Sequence, residues 1–323
     1  MTLSLKFGCG WYDRIEPLRH GDVQASGISL EIETIEDPRQ LFDRLVRDDS
    51  LDLAEMSMSE HITMTANGGS PFVGLPIWNS RTFRHSFICI NNKSGIRRPQ
   101  DLTGKRIGVP LYTMSAAIWC RGLLRDEYDV DLSGVTWIEG AMEKPGSHGA
   151  AREHDLAIPT RISRNNSALS LSELLERGEI DATLGALMPT GFGVSTHIER
   201  LFPDYRRVEI ASYQATGVHP IMHLVVIRKS TLEKNGWIVQ PLMDAFTKAK
   251  QLALQRLFYT GAPRSLLPML HAEVDETLKI FGSDPWPDGV SANMRTLERL
   301  LSYMMEDGII TRRPTYNELF IAG

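Results

Sequence analysis

The chain has 323 residues, about twice the usual single-domain length, which predicts two domains or one large α/β unit. Hydrophobic residues make up 42% and charged residues 23%, a balance that excludes a disordered, fibrous or membrane-embedded chain. The formal net charge of -5 excludes the basic surface of a general nucleic-acid binder, so no nucleic-acid partner is expected.

The cysteines and the N-terminal residues indicate a compartment. Cys9, Cys89 and Cys120 are odd in number and widely spaced, which favours neither a disulfide framework nor a CxxC metal site. Charged residues interrupt the first 16 positions, and no apolar run long enough for a membrane helix follows. The sequence therefore predicts a cytoplasmic protein with no secretory signal and no membrane partner.

Short apolar runs alternate with amphipathic stretches through most of the chain, a pattern typical of βαβ units. The predicted strands are residues 3–8, 28–35, 51–56, 83–91, 105–109, 180–187 and 219–227. The predicted helices between them are 38–47, 116–124 and 171–177, the last with a capping box of Ser170 and Glu173. Beyond residue 227 the periodicity is almost wholly helical.

The densest group of reactive side chains is SRTFRHS at 80–86. Arg81 and Arg84 can each bind a carboxylate through two hydrogen bonds, and His85 can move a proton near neutral pH. Ordinary surface ion pairs explain the same arginines, and the residues leave both interpretations open.

His219 and His223 have the HxxxH spacing of a metal site. Pro220 and the β-branched residues after it favour a strand, in which four residues span about 13 Å, so the imidazoles cannot share an ion. For each histidine, a catalytic role and a place in the core remain alternatives, and no metal site is predicted.

Further candidates stand just after predicted strands, where open α/β sheets bind ligands. Trp11 and Arg14 follow the first strand, although aromatic packing explains Trp11 nearly as well. Ser57 and Glu60 follow the third strand.

Tyr112, Thr113 and Ser115 precede or open the helix at 116–124, with Thr113 as its expected N-cap. Free backbone N–H groups there can bind an anion, while plain capping remains the alternative. No GxGxxG, P-loop, GxSxG or HExxH motif occurs, which argues against the commonest dinucleotide, nucleotide, serine-hydrolase and zinc-protease sites.

The motifs DLTGKRIGV at 101–109 and LERGEIDA at 175–182 resemble those of type II periplasmic binding proteins. The resemblance implies a two-lobed α/β fold with two crossover strands, 83–91 and 219–227, and a helical C-terminal extension. The implied lobes are residues 1–88 plus 223–323 and residues 89–222, with the ligand cleft between them.

A narrower set of motifs is similar to the 4,5-dihydroxyphthalate decarboxylase family. It comprises WNSRTFRHS at 78–86, PLY at 110–112, PIMH at 220–223 and DPWPDGV at 284–290. The resemblance implies a cytoplasmic carboxy-lyase of phthalate degradation that needs no cofactor. Its substrate is a dihydroxylated aromatic carboxylic acid, which loses CO2 after a ring carbon is protonated.

That chemistry requires groups that bind carboxylates, polarise a phenol and protonate carbon. Among the candidates, one of His85 and His223 would donate the proton and the other would polarise the phenol. The substrate-binding candidates are Arg81, Arg84, Ser57, Glu60, Tyr112, Thr113, Ser115, Arg14 and Trp11.

Alternatives remain at this stage. One is a solute-binding protein that holds a small aromatic or anionic ligand without transforming it, and another is a biosynthetic enzyme on the same scaffold. A divalent metal that organises the catecholic oxygens is a further alternative to the cofactor-free reaction. The C-terminal helices offer surface for a homo-oligomer, and the sequence leaves the oligomeric state open.

Overall fold

The structure is a computed structural model that describes residues 2–149 and 156–321, and within these residues the strands form two mixed sheets. The strands are β1 (Leu3–Cys9), β2 (Ile28–Thr34), β3 (Leu53–Ser57), β4 (Phe72–Arg81), β5 (Cys89–Asn91), β6 (Arg106–Val109), β7 (Thr136–Glu139), β8 (Ile162–Arg164), β9 (Ala182–Thr183), β10 (Ile198–Arg200) and β11 (Ile221–Arg228). The helices are α1 (Glu16–Arg19), α2 (Pro38–Arg47), α3 (Met58–Ala66), α4 (Ser115–Tyr128), α5 (Leu171–Arg177), α6 (Tyr205–Thr216), α7 (Lys229–Lys234), α8 (Val239–Phe258), α9 (Leu270–Phe281), α10 (Met294–Glu306) and α11 (Tyr316–Leu319).

The first sheet has the strand order β2-β1-β3-β11-β4. β1 is parallel to β2 and β3, whereas β11 is antiparallel to β3 and β4. Every residue of β3 is buried, as expected of a central strand that helices cover on both faces. On one face Phe7 meets Phe246 of α8 edge to face, and on the other Met56 packs in a cluster with Leu297 of α10.

The second sheet has the strand order β10-β5-β9-β6-β7-β8. β6 lies near its centre, parallel to β7 and β9. α4 covers this sheet, because Ala117 and Leu124 belong to the same buried cluster as Ile107 and Val109.

The chain passes from the first sheet to the second between β4 and β5, and it returns between β10 and β11. The continuous strand predicted over 83–91 is wrong, because a 3₁₀ helix at His85–Phe87 separates the two strands. Its turn is closed by backbone hydrogen bonds from Phe87 to Arg84 and from Ile88 to His85. The lobe boundaries near residues 88 and 222 stay a prediction.

Local signals predicted several element ends correctly. α2 has the bounds expected, and α5 has the Ser170–Glu173 capping box. Thr113 is not the N-cap of α4, since Met114 occupies that position without a side-chain hydrogen bond. The strand predicted over 180–187 is reduced to β9. No helix in the described ranges is long and apolar enough to cross a bilayer.

The contact between α4 and α10 generates a stability prediction. A Cβ added at Gly122 would lie 2.0 Å from the ring of Tyr303, which is itself buried against Trp119. Gly122→Ala should therefore lower the free energy of unfolding by about 1–3 kcal/mol, as overpacking does. Urea unfolding measures this, with Gly236→Ala as the control, because a Cβ there meets no atom within 4 Å. Equal stability of the two variants would contradict the tight contact.

Candidate active site

A cavity of about 580 Å³ lies between the two sheets, at the end where β1 and β3 finish. The first sheet and its loops contribute Tyr12, Ser57 and His223 to the wall, and the second contributes Met114 and Ala141. Apolar surface comes from Phe42, Phe87, Leu111, Leu187 and Met222. The apolar side chains suit a flat ring, and the polar and charged side chains that share the lining suit charged substituents on it.

Three helices begin at this cavity. Pro38 of α2, Ser57 before α3 and Ser115 of α4 all line it. Asp37 already caps α2 by accepting a hydrogen bond from the Arg39 backbone N–H, and Glu60 lies in the first turn of α3. The first turn of α4 has neither a side-chain cap nor an acidic residue. Because aligned peptide dipoles give a helix N-terminus a partial positive charge, the start of α4 favours an anion. The hydroxyls of Ser57 and Ser115 are 3.0 Å apart, and Ser115 Oγ accepts a hydrogen bond from the Ser59 backbone N–H. These bonds join the two halves of the cavity.

His223 enters the cavity at an irregularity in β11. The pairing of β11 with β4 shifts register on both sides of His223. Regular alternation would send neighbouring side chains to opposite faces, but here Met222 and His223 both line the cavity. Nδ1 of His223 lies 2.5 Å from Glu55 Oε1, and Phe42 meets the ring edge to face. Nε2 is therefore the ring nitrogen available to a ligand.

Glu55, which contacts His223, and His148, which lines the cavity, were both absent from the candidates that the sequence indicated. Glu55 lies in β3 and is 1% exposed. The Gly10 N–H donates to its Oε2 at 2.9 Å, and the Tyr12 hydroxyl donates to its Oε1 at 2.6 Å. Burial alone would raise the pKa of this carboxyl, but His223, Gly10 and Tyr12 together hold the pKa below its ordinary value. The available signal was a single carboxylate in the otherwise apolar run LAEMS.

Arg84 is a buried guanidinium without a carboxylate partner in the described part of the chain. Its Nε meets the Met222 thioether at 3.3 Å, and one terminal nitrogen meets the Gly185 carbonyl at 3.4 Å. Burial lowers the pKa of Arg84 to about 10, which still leaves it charged at neutral pH. A thioether is a weak acceptor, so most of its donor capacity remains for a ligand carboxylate.

On the α2 side of the cavity, charged side chains form ion pairs with one another. Arg39 pairs with both Asp43 and Glu60. Glu60 lines the cavity, but its carboxylate is already paired with the guanidinium of Arg39. His148 also lines the cavity, and burial, followed by the charge of Arg39, lowers the pKa of its imidazole.

His85 does not line this cavity, which corrects its expected place. It is buried beside the rings of Tyr128 and Phe202, with Nε2 3.5 Å from Glu127. Arg84 and His85 are consecutive residues in a tight turn, so their side chains point to different sides of the backbone. Only Arg84 of the two reaches the cavity.

Arg81 also lies outside the cavity. It donates a hydrogen bond of 2.8 Å to the His219 carbonyl and a longer one to the Pro287 carbonyl, so it joins β4 to the C-terminal region. His219 stacks on Phe83 at 4.8 Å, away from His223. The HxxxH pair is thus divided between a packed core and the cavity.

The aromatic residue and the arginine predicted after the first strand take other places. Trp11 is 58% exposed on the surface. Arg14 lies between the rings of Tyr12 and Trp286, at 4.3 and 4.5 Å, and does not line the cavity. Tyr12 occupies the place expected for these two residues.

The three candidate residues at the start of α4 also lie in different surroundings. Tyr112 points into the second core, beneath the guanidinium of Arg121 at 3.7 Å. Thr113 contributes its carbonyl to Ser59 Oγ at 2.8 Å and does not line the cavity. Ser115 and Ser57 both line the cavity, as their places after predicted strands indicate, and their substrate-binding role remains a prediction.

Within residues 2–149 and 156–321, no group of three or more His, Cys, Asp or Glu side chains is arranged to hold a metal ion. The expected cofactor-free reaction is not tested by this observation and stays a prediction.

The two sheets and the cavity between them define a periplasmic-binding-protein-like fold, which confirms the predicted class. The periplasmic aliphatic sulphonate binding protein SsuA from Escherichia coli matches with a TM-score of 0.53 at 10% identity, covering 99% of this chain and 98% of that one. A ligand-binding component of an ABC-type import system from Staphylococcus aureus matches with a TM-score of 0.51 at 10% identity, covering 99% and 96%.

Sequence comparison then identifies the family. A family profile described as NMT1/THI5 like matches residues 23–144. A 4,5-dihydroxyphthalate decarboxylase from Comamonas testosteroni is 34% identical over 321 residues, which cover 98% of this chain and 96% of that protein. Another from Pseudomonas putida is 38% identical over 192 residues, which cover 59% and 73%. The chain belongs to the 4,5-dihydroxyphthalate decarboxylase family.

The contrast between the two arginines generates a binding prediction. Arg84→Gln should weaken the binding of benzoate about 10-fold or more, because a hydrogen bond to a charged group contributes about 1.5–3 kcal/mol. Arg81→Gln should lower the melting temperature without changing the affinity, since the bonds of Arg81 to the described residues are to backbone carbonyls outside the cavity. Calorimetric titration and thermal unfolding measure these effects. An equal loss of affinity in both variants would contradict the assignment.

Proposed function

We propose that this protein is a decarboxylase that removes one carboxylate from a dihydroxylated aromatic dicarboxylic acid, with 4,5-dihydroxyphthalate as its substrate. The proposal is carried by a single observation. The same cavity holds Arg84, a guanidinium to which no carboxylate of the described residues is bonded, and His223, an imidazole backed by the buried carboxylate of Glu55. The named relatives of the family supply the identity of the substrate.

The chemistry needs little beyond acid–base groups. In 4,5-dihydroxyphthalate each carboxylated carbon is para to a hydroxyl group, so loss of the phenolic proton pushes electron density onto that carbon. The carbon accepts a proton and forms a quinoid intermediate. The bond to the carboxylate then breaks, CO2 leaves, and the bonding electrons restore the aromatic ring. The phenolate takes a proton back, so the net reaction consumes one proton.

Residues in the cavity suit these steps. Arg84 and the N-terminus of α4 bind carboxylate oxygens. His223 donates the proton to the ring carbon from Nε2. His148 accepts the phenolic proton; it is the other imidazole among the described lining residues, and its lowered pKa favours the neutral base. Ser57 takes part in recognition of the hydroxyl groups.

Cofactor, compartment and assembly belong to the same proposal. No redox cofactor is needed, because the ring itself accepts the electrons. We place the reaction in the cytoplasm, within phthalate degradation, since Cys9, Cys89 and Cys120 are all free thiols. Addition of EDTA, then of Mg²⁺ or Mn²⁺, to the assay distinguishes a metal-assisted reaction. Sedimentation analysis determines whether the chain forms a homo-oligomer.

The proton donor can be tested by a matched pair of variants. His223→Gln should lower the turnover of 4,5-dihydroxyphthalate about 100-fold or more, as expected for loss of a general acid. His85→Gln should keep near-normal turnover, because His85 lies outside the cavity. CO2 release and formation of 3,4-dihydroxybenzoate measure turnover. In D2O the wild type should place one deuterium on the carbon that lost its carboxylate, which proton NMR detects.

Two outcomes would contradict different parts of the proposal. Near-normal turnover in the His223 variant would remove that residue from the proton transfer. A wild-type protein that returns 4,5-dihydroxyphthalate unchanged, while the ligand raises its melting temperature, would instead support the solute-binding alternative.

A further inference from the structure

Glu55 does not line the cavity, yet it contacts the proposed proton donor. His223 Nδ1 and the Tyr12 hydroxyl both meet Oε1, at 2.5 and 2.6 Å, while the Gly10 N–H meets Oε2 at 2.9 Å. A buried negative charge therefore stands behind the imidazole, outside the cavity that His223 lines.

The groups around Glu55 determine which nitrogen of His223 carries hydrogen. A backbone N–H such as that of Gly10 can only donate. Tyr12 stays protonated, because burial and the charge of Glu55 raise the pKa of its phenol. Both oxygens of Glu55 are therefore acceptors, and Nδ1 has to be a donor. Nε2 is left for the substrate.

We propose that Glu55 is a positioning residue for the decarboxylation, which fixes the tautomer of His223 and stabilises the imidazolium that protonates the ring carbon. This inference rests on the proposed function. In the proton-transfer step the proton leaves Nε2 for the carbon, the imidazolium becomes neutral, and Glu55 stays ionised throughout. Solvent then restores the proton to Nε2.

Glu55 is the charged group in hydrogen-bonding contact with His223 in the described part of the chain. Phe42 of α2 meets the imidazole edge to face, and Ser57 of β3 and Ser80 of β4 pair with His223 across the sheet. The Tyr12 hydroxyl shares Glu55 Oε1 with the imidazole. Charged and titratable groups elsewhere on the cavity wall, none of them bonded to His223, are Asp37, Arg39, Glu60, Arg84, Glu143, Lys144 and His148.

The test compares wild type with Glu55→Gln, which keeps the shape but removes the charge. We expect kcat to fall about 100-fold with little change in KM, because Glu55 does not touch the substrate. The alkaline limb of the kcat profile should move to lower pH, since the imidazolium loses its counter-charge. Glu55→Asp keeps a carboxylate and should keep the limb in place, even where kcat falls.

A spectroscopic measurement in the resting protein is independent of catalysis. Histidine labelled with ¹⁵N should show the Nδ1-protonated form of His223 in the wild type at high pH and a mixture of tautomers in Glu55→Gln. The matched control is Asp307→Asn, which removes another buried carboxylate, one that pairs with Arg121 and Arg125. It should lower the melting temperature but leave the pH profile and the His223 signals unchanged.

The outcomes separate this inference from the function on which it rests. A wild type that releases no CO2 refutes the proposed function, while the tautomer measurement still tests the pair. Active wild type together with an unshifted pH limb and an unchanged tautomer in Glu55→Gln refutes the positioning role. A shifted limb that Asp307→Asn reproduces also refutes it, because the effect would then be one of stability.

Discussion

Burying a carboxylate is costly unless hydrogen-bond donors replace its water, and Glu55 meets that condition in the middle of the first sheet. The chain after β1 supplies the Gly10 N–H and the Tyr12 hydroxyl, while β11 supplies His223. One carboxylate thus ties together the cavity ends of β1, β3 and β11. The orientation of the imidazole follows from the same bonds, so sheet packing and the proposed proton transfer depend on one interaction.

The cavity is built from both sheets, and each contributes a different chemistry. The N-terminus of α4 and Arg84 provide positive charge to which no carboxylate of the described residues is bonded, which is what an anion-binding cleft requires. The Ser57–Ser115 contact joins the two halves of that cleft. His223, aimed inward by shifts in strand register, adds a group that can transfer a proton. In this way a fold shared with binding proteins can support a reaction.

Short-range patterns predicted much of the fold. The apolar spacing in 38–47 and the capping box at Ser170 depend on neighbours within four residues, and both are present as expected. The prediction of one strand over 83–91 was wrong, because a 3₁₀ helix at His85–Phe87 turns the chain where it crosses from the first sheet to the second. The prediction that Thr113 caps α4 was wrong, because Met114 occupies the N-cap position. The Thr113 carbonyl instead accepts a hydrogen bond from the Ser59 hydroxyl of α3.

For the site, the sequence was sufficient to name the family, the reactive residue types and five residues that line the cavity: Ser57, Glu60, Arg84, Ser115 and His223. Only the tertiary structure showed that Arg81 and His85 serve packing elsewhere. It also brought in Glu55, whose partner His223 is 168 residues distant along the chain. Periodicity reports which side of an element a residue occupies. Which residue it meets there is decided by how the sheets and helices pack.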